Sequence, residues 1–553
     1  MVTVDLVSMP NTEIVHRHRY LRTPGLSSAA LFLGVAFLTR AIQFGNPVLQ
    51  IDEQFYLLAG DRLLHGTLPF VDIWDRKPFG LFALYALIRL LGGTGVIQYQ
   101  IVATLFAAAT AFVISRMSLR LTNRKGAIVA GTVYLLFILS SGGDGGQAPV
   151  FYNLPVATAA LIVLRVQEQA AFGAQSFRMA CLAMIILGIA IQIKYSVIFE
   201  GAFFGIWLLR LAWSGGVRMP GILASALLWV GIALIPTVAV AALYWRLGFI
   251  DQFVFANFVS IFMRSPIHDL NLPTRLFIIA IHIALPAGIA IWGMTVQVPD
   301  RAARHFVGAW ALAAIAAVLV FGTYHYHYAL PLFAPLAAAG APIYGDAAAR
   351  LGPARAHLNV GTIVMLIGLL LGLGKMTATR ASRGTGEAVH AAARLVGSTP
   401  GDCIFVFNGD PILYHLTNSC LPTVYSFPTF LSERQEASSI GVDQVRELHR
   451  TMSKRPSYVF TREPVPGQAQ AAAWLYMRAV LQRDYRLAFR QQAGSSIMLG
   501  YARKGCAQGA GHDASKPAGT AQPRGAAAAD GGAGRPVARR GRADDAAHSG
   551  RSL

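Results

Sequence analysis

The chain has 553 residues, a formal net charge of +20, 54% hydrophobic residues and only 13% charged ones, with a mean hydropathy of +0.49. Soluble globular domains are about a quarter charged, so this composition excludes an ordinary soluble protein, and long apolar runs point to a polytopic α-helical membrane protein. A transmembrane β-barrel is excluded because it would alternate polar and apolar residues, and no nucleic-acid partner is expected because the basic residues sit in short inter-helix loops and a C-terminal tail.

Residues 1–25 are polar and basic (His16, Arg17, His18, Arg19, Arg22) and hold no apolar signal-peptide core. They read as a cytoplasmic tail before an uncleaved first helix. About eleven spans follow, over 26–44, 96–115, 126–141, 152–166, 179–195, 196–213, 221–245, 275–296, 305–321, 328–345 and 358–376. The apolar run 78–93 is short and contains Arg89, so it is expected to lie at the interface within the first loop, 45–95. Charge parity agrees. With the N-terminus inside, the cytoplasmic loops are 116–125, 167–178, 214–220, 297–304 and 346–357. They or their edges carry Arg116, Arg120, Arg124, Lys125, Arg178, Arg218, Arg301, Arg304, Arg350 and Arg355. Loops 45–95, 142–151, 246–274 and 322–327, and everything after 376, then lie outside.

Residues 377–505 have mixed polarity. Asp402-Cys-Ile-Phe-Val-Phe, Ser457-Tyr-Val-Phe-Thr and Ser496-Ile-Met-Leu-Gly-Tyr read as strands, and 434–452 as helical. The segment is expected to be a small C-terminal α/β periplasmic domain. Cys403 and Cys420 either form a disulfide in an oxidising compartment or stay as buried thiols. Cys181 reads as packing, and Cys506 carries no signal. The remaining stretch, 506–553, is rich in Ala, Gly and Arg and reads as a disordered basic tail.

Candidate chemistry concentrates in the first loop, which holds Asp52, Glu53, Asp61, Asp72 and Asp75 with Arg62, Arg76 and Lys77. Asp52-Glu53 reads either as a solvated helix start or as one capping carboxylate beside a second that faces a cavity as general base. In Trp74-Asp75-Arg76-Lys77-Pro78, the proline starts a helix. Lys77 and the free N–H groups there would hold a phosphate; the bland reading is a lysine paired with Asp75 or snorkelling to headgroups. The second outer loop, Gly142-Gly-Asp-Gly-Gly-Gln-Ala-Pro, is either a close backbone approach or a plain turn. Lys194 lies between two apolar halves near the outer face and needs an anionic partner or water. Arg264 is a phosphate ligand or an ordinary surface arginine. Tyr324, His325 and His327 fall in an aromatic–histidine cluster, with interfacial tyrosines and histidines placed to donate to a phosphate. There is no Walker loop or convincing dinucleotide fingerprint. No dedicated zinc set is present, no cofactor is demanded, and a divalent metal stays open.

The Asp52-Glu53 pair, the run Pro69-Phe-Val-Asp-Ile-Trp-Asp-Arg-Lys-Pro-Phe-Gly, Lys194 and the late Tyr-His-Tyr-Ala-Leu-Pro-Leu-Phe-Ala-Pro resemble the GT-C integral-membrane glycosyltransferases. The nearest branch is the protein-mannosyltransferase and aminoarabinose-transferase group, including the Rgt-type lipopolysaccharide glycosyltransferases. The resemblance spans 26–345 in layout and 45–80 more closely. It implies sugar transfer from a polyprenyl-phosphate carrier, with Asp52 as general base, Glu53 as the adjacent acid and Lys77 on the lipid phosphate. This chain has Lys-Pro-Phe where the family often has Lys-Pro-Pro. In the second outer loop, Asp144, Gln147 and Asn153 correspond only loosely to the family's acid beside an Asn.

The expected protein is therefore a GT-C-like enzyme of the bacterial inner membrane. Its transmembrane domain is 26–376, followed by the outer domain 377–505. The donor is a polyprenyl-phosphate-linked sugar, transferred with inversion. The acceptor is a lipid A/core or other glycolipid, a glycan or a protein. A transporter or flippase for an amphipathic glycolipid is the rival; it would favour an internal repeat, and no convincing repeat is present.

Overall fold

The computed structural model describes residues 26–265, 272–321, 324–345, 360–397 and 403–505. The predicted tails 1–25 and 506–553, Cys506, and Arg350 and Arg355 of loop 346–357 lie outside the described residues.

The elements in chain order are α1 Leu26–Arg40, α2 Ile51–Leu64, α3 Phe79–Arg89, α4 Val96–Ser118, α5 Arg124–Ser140, α6 Ala148–Gln167, α7 Ala174–Ile191, α8 Val197–Ser214, α9 Met219–Arg246, the short α10 Ile250–Val254, α11 Leu272–Thr295, α12 Arg301–Phe321, α13 Phe333–Tyr344 and α14 Val360–Arg383. Every segment read as a span contains helix. Among the described residues, nine helices are long and apolar enough to cross a membrane, and the protein is a multi-pass membrane protein. The two remaining predicted spans fall below that length. Helix α5 has 17 residues. Helix α13 has 12, follows a 3-10 turn over Tyr326–Leu332, and every one of its residues is buried by protein. It extends only about 18 Å, so its apolarity serves the bundle core. Helix α9 is the opposite case. It is 28 residues long and buries only Ser225, Trp229 and Tyr244, leaving Leu227, Ile235 and Trp245 exposed as lipid requires.

The loops sort into two groups by contact. In one group, Arg120 pairs with Glu168 at 2.7 Å and approaches Asp300 at 3.9 Å, while Arg124 donates to Ser27. The start of α1 and loops 116–125, 167–178 and 297–304 therefore meet. In the other group, Gln50 bonds Tyr326, Asp52 meets Gln147, and Arg264 pairs with Glu436. Helix α3 joins this second group at both ends. Before it, Arg76 bonds Glu436; after it, the Thr94 carbonyl is 2.8 Å from His415 Nε2. With 11 residues it reaches about 16 Å, and it does not cross the bundle.

The C-terminal segment forms one sheet in the order β1-β2-β4-β3, with β1 Ile404–Val406, β2 Tyr458–Glu463, β3 Tyr485–Ala493 and β4 Ser496–Arg503. Strands β1 and β2 run parallel with Phe405 opposite Val459; β4 pairs antiparallel with both β2 and β3. The sequence reading missed β3. It is an edge strand with a mostly exposed, Arg- and Gln-rich face, so it lacks the apolar run that marked the others. The helix expected over 434–452 forms only at Gln444–Ser453, where Asp443 caps the Arg446 N–H at 2.7 Å. Cys403 and Cys420 are disulfide-bonded, and Cys181 is a free, partly buried thiol. The unit docks on the first loop through Trp74 N to Val424 O, Gln54 to Asp410 and Arg62 to the Ser419 carbonyl.

Single cysteines at the exposed positions Gln169 and Thr94 should be labelled by an impermeant thiol reagent from opposite faces of sealed vesicles. Labelling of both from one face would break the two-sided arrangement.

Candidate active site

Helix α2 begins at Ile51 without a side-chain cap, so its first turn presents Asp52 and Glu53 beside uncapped N–H groups. A 100° step per residue separates the two carboxylates. Asp52 is partly exposed and lies 3.9 Å from Lys77 Nζ; Gln147 Nε2 donates to its other oxygen at 3.4 Å. Burial opposes the Asp52 charge, but Lys77, the Gln147 hydrogen bond and the neighbouring His327 and His325 together outweigh it and hold the carboxyl below the usual carboxylate range. Glu53 turns inward and is fully buried. It packs on the second outer loop so tightly that a Cβ on Gly145 would lie 2.2 Å from its Oε2. Burial pushes its carboxyl well up, with Asp144 and Asp52 adding to the effect. The loop glycines therefore serve close approach, and the adjacent acids occupy different environments.

Lys77 stands immediately before the uncapped start of α3, where Pro78 is the N-cap residue. The Asp75 carboxylate accepts from the Arg76 and Lys77 N–H groups at 2.5 and 3.1 Å and fixes the turn. Burial works against the Lys77 ammonium, but Asp75 and Asp52 outweigh it and raise its pKa. The side chain also lies over the Tyr56 ring at 5.5 Å. Helix α3 packs its N-terminal turn against Gln192, which a Cβ on Gly80 would strike at 2.6 Å. That contact brings the α7–α8 turn, and Lys194 with it, next to the first loop. Lys194 lies over the Tyr328 ring at 4.6 Å and within electrostatic range of Lys77 and Asp52.

His325 and His327 stack with ring centroids 5.5 Å apart, and both interact with Asp52. Burial pushes them down to about 4 and about 3, so both are neutral at pH 7 and each offers one donor and one acceptor. Tyr324 behaves differently. Its hydroxyl bonds the Leu319 carbonyl at 3.2 Å, at the end of its own preceding helix. Arg264 is likewise occupied by protein, its guanidinium giving Glu436 Oε1 bonds of 3.1 and 2.6 Å. Asp144 accepts from Gln43 at 3.0 Å, and Asn153 donates to Tyr134 and the Leu330 carbonyl.

The structure thus gathers Asp52, Lys77, Lys194, His325 and His327, and gives Glu53, Arg264 and Tyr324 other surroundings. Sequence reasoning did not identify Gln147 as the partner of Asp52, nor the Arg76–Glu436 contact. Arg76 bonds Glu436, Ser439 and Ser260 and lies 4.8 Å from the Trp74 ring and 5.5 Å from Phe430. Glu436 is 360 positions away in sequence, so no local pattern could announce it. Among the described residues, no group of three or more His, Cys, Asp or Glu converges as a metal set.

No family model and no curated protein matches the chain in sequence. Solved structures do match in fold. The chain is similar to ArnT from Cupriavidus metallidurans in the apo state, at 15% identity and a TM-score of 0.57, over 85% of this chain and 97% of that one. It is also similar to the same ArnT bound to undecaprenyl phosphate, at 14% identity and a TM-score of 0.53, over 86% and 98%. The Archaeoglobus fulgidus oligosaccharyltransferase tethered with an acceptor peptide matches at 10% identity and a TM-score of 0.51, over 88% and 75%. These are GT-C proteins, and the chain has the GT-C fold.

Glu436→Ala would leave two arginines facing each other over a site that is 1% exposed. It should destabilise the protein by about 3 kcal/mol, the scale for breaking a buried ion pair. Arg450→Ala, whose side chain is 65% exposed, should stay within about 0.5 kcal/mol. Unfolding of both variants in detergent, followed by fluorescence, checks the contrast.

Proposed function

We propose that the protein is a glycosyltransferase moving a sugar from a polyprenyl-phosphate carrier to a lipid, glycan or protein acceptor, with inversion, at the outer face of a bacterial inner membrane. The observation that carries this reading is the Asp52 carboxylate 3.9 Å from Lys77 at an uncapped helix start, inside a GT-C fold. The fold neighbour bound to undecaprenyl phosphate supports a lipid-linked donor, and the one tethered with an acceptor peptide admits a peptide acceptor. The Cys403–Cys420 bridge suits an oxidising compartment. The opposite loop group, rich in Arg116, Arg120, Arg124 and Lys125, suits the cytoplasm.

The chemistry follows from these groups. The carrier phosphate sits against Lys77, the first N–H groups of α3 and Lys194. Asp52, ionised at neutral pH, takes the proton from an acceptor hydroxyl or amine. The freed electron pair forms the bond to the anomeric carbon from the face opposite the phosphate. The carbon–oxygen bond to phosphate breaks, and the departing polyprenyl phosphate keeps its electron pair. The two lysines stabilise the added negative charge. Neutral His325 and His327 supply hydrogen bonds. Glu53 is a supporting acid that keeps the second loop in place. Arg264 and Tyr324 are left out of the donor site.

Asp52→Asn should leave donor binding intact and lower turnover by about 10²–10⁴-fold, the range for losing a positioned base. Lys77→Ala should first weaken donor binding, because the phosphate is present in the ground state as well as the transition state. Steady-state assays with purified protein and labelled polyprenyl-phosphate sugar separate the two. Normal turnover by Asp52→Asn would remove the base. If both carboxylates are dispensable while Lys77 still matters, the transporter reading takes over.

A further inference from the structure

The C-terminal unit has a cleft of about 330 Å³ at the end of its sheet where β2 and β3 begin and β4 ends. The β3–β4 hairpin at the opposite strand end touches Ser382 of α14, and β4 spans about 26 Å between the two ends. None of Asp52, Lys77, Lys194, His325 and His327 lines the cleft. Small-ligand pockets start at about 300 Å³, so one sugar ring with an acidic substituent fits. Three arginines, Arg455, Arg483 and Arg503, face a single acid, Asp484, which leaves the lining a formal charge of +2. Arg483 holds Asp484 through bonds of 3.0 and 2.8 Å, both side chains being open to solvent. Such a surface pair is weak, and the carboxylate keeps lone pairs for a hydroxyl. Arg503 donates to the Arg455 carbonyl. The Arg455 side chain is exposed and makes no hydrogen bond or ion pair among the described residues. Its backbone is left-handed, at φ +52°, with its N–H on the Met452 carbonyl at 2.9 Å, just past the helix Gln444–Ser453. That helix-ending position favours glycine. An arginine kept there against its conformational preference, its guanidinium unspent at the mouth of a cleft, points to a ligand.

We infer that this cleft binds an acidic saccharide, its phosphate or carboxylate on Arg455 and Arg503 and its ring against Tyr476. Guanidinium groups match both anions with paired N–H donors. The His449 and Tyr476 rings, with centroids 6.2 Å apart, share the lining with the buried Met452 and Val480. These ring faces and apolar atoms suit the C–H face of a sugar. Asp484 accepts from a sugar hydroxyl while Arg483 neutralises it. A bare anion uses only the arginines, and a neutral sugar uses only the rings and Asp484, so the acidic sugar is the ligand that satisfies both halves. The site stands apart from sugar transfer: it employs no group of the donor site, and its failure leaves the transferase reading untouched.

The test is calorimetric titration of the full-length protein in detergent with hexose phosphate, hexuronate, neutral hexose, glycerol phosphate and inorganic phosphate. At least one of the two acidic sugars should bind about tenfold tighter than each of the other three, the worth of one or two net hydrogen bonds. Arg455→Gly removes the guanidinium and suits the left-handed backbone. It should keep or raise the melting point and weaken the acidic sugar about tenfold. Tyr476→Leu should weaken the acidic sugar and leave glycerol phosphate within about twofold. Lys77→Ala in the donor site and Arg490→Ala on the exposed face of β3 should leave acidic-sugar binding within about twofold. The inference is overturned if Arg455→Gly binds as the wild type does, or if inorganic phosphate matches the acidic sugars, which would leave an adventitious ion only. It is also overturned if glycerol phosphate matches hexose phosphate, which would assign a lipid headgroup instead, or if Lys77→Ala abolishes the binding, which would assign it to the donor site.

Discussion

One buried carboxylate, Glu436, is shared by two arginines from distant loops. Arg76 comes from the first loop and Arg264 from the segment after α9, and each takes a different oxygen. Burial works against the Glu436 charge, but Arg264 and Arg76 outweigh it and keep its pKa low. Such an arrangement adds little to stability over an apolar packing, but losing one partner is costly. Its value is positional. Arg76 precedes Lys77 by one residue, so whatever holds Arg76 also sets the start of α3. The C-terminal unit thereby becomes part of the site without supplying a reacting group.

Around that fixed point, similar residues acquire different properties. Asp52 and Glu53 are neighbours in sequence, yet Asp52 meets Lys77 at a partly open position, and Glu53 is sealed against glycine backbone. One carboxyl is held low and the other pushed high. Pushing neighbouring acids apart in this way is a common means of dividing roles between chemically identical groups. The cations follow a parallel division. Arg76 and Arg264 are consumed by protein contacts, whereas Lys77 and Lys194 lie within electrostatic range of each other, with Asp52 and Asp75 beside Lys77 and a tyrosine ring beneath each lysine. Two lysines brought together in a half-desolvated place favour an anion between them.

The fold was legible where the bilayer imposes a simple rule. Apolar length placed helix within every segment read as a span, and the short run with Arg89 forms a helix of only 11 residues; α2, inside the charged first loop, carried no such signal. Length failed for α13, because a helix enclosed by other helices is as apolar as one facing lipid. In the C-terminal unit, apolar strands β1, β2 and β4 were visible and the solvent-facing edge β3 was not. The site was legible in part. A lysine before a proline and a pair of acids after a span carry local signals. The identity of their partners does not, because Gln147 and Glu436 reach the first loop across 95 and 360 positions. Arg264 shows the same limit from the other side. Its type suited a phosphate, but only the folded chain shows the carboxylate it pairs with.

The central claim is that this membrane protein transfers sugars, with Asp52 at the reacting end. Mass spectrometry of envelope lipids, glycans and glycoproteins from a deletion strain, compared with the same strain carrying the wild-type gene or Asp52→Asn, tests it most directly. The account predicts that one species loses a single sugar on deletion, regains it with the wild type, and stays unglycosylated with Asp52→Asn despite normal protein levels. An identical profile in all strains, under conditions where the protein is made, would contradict it.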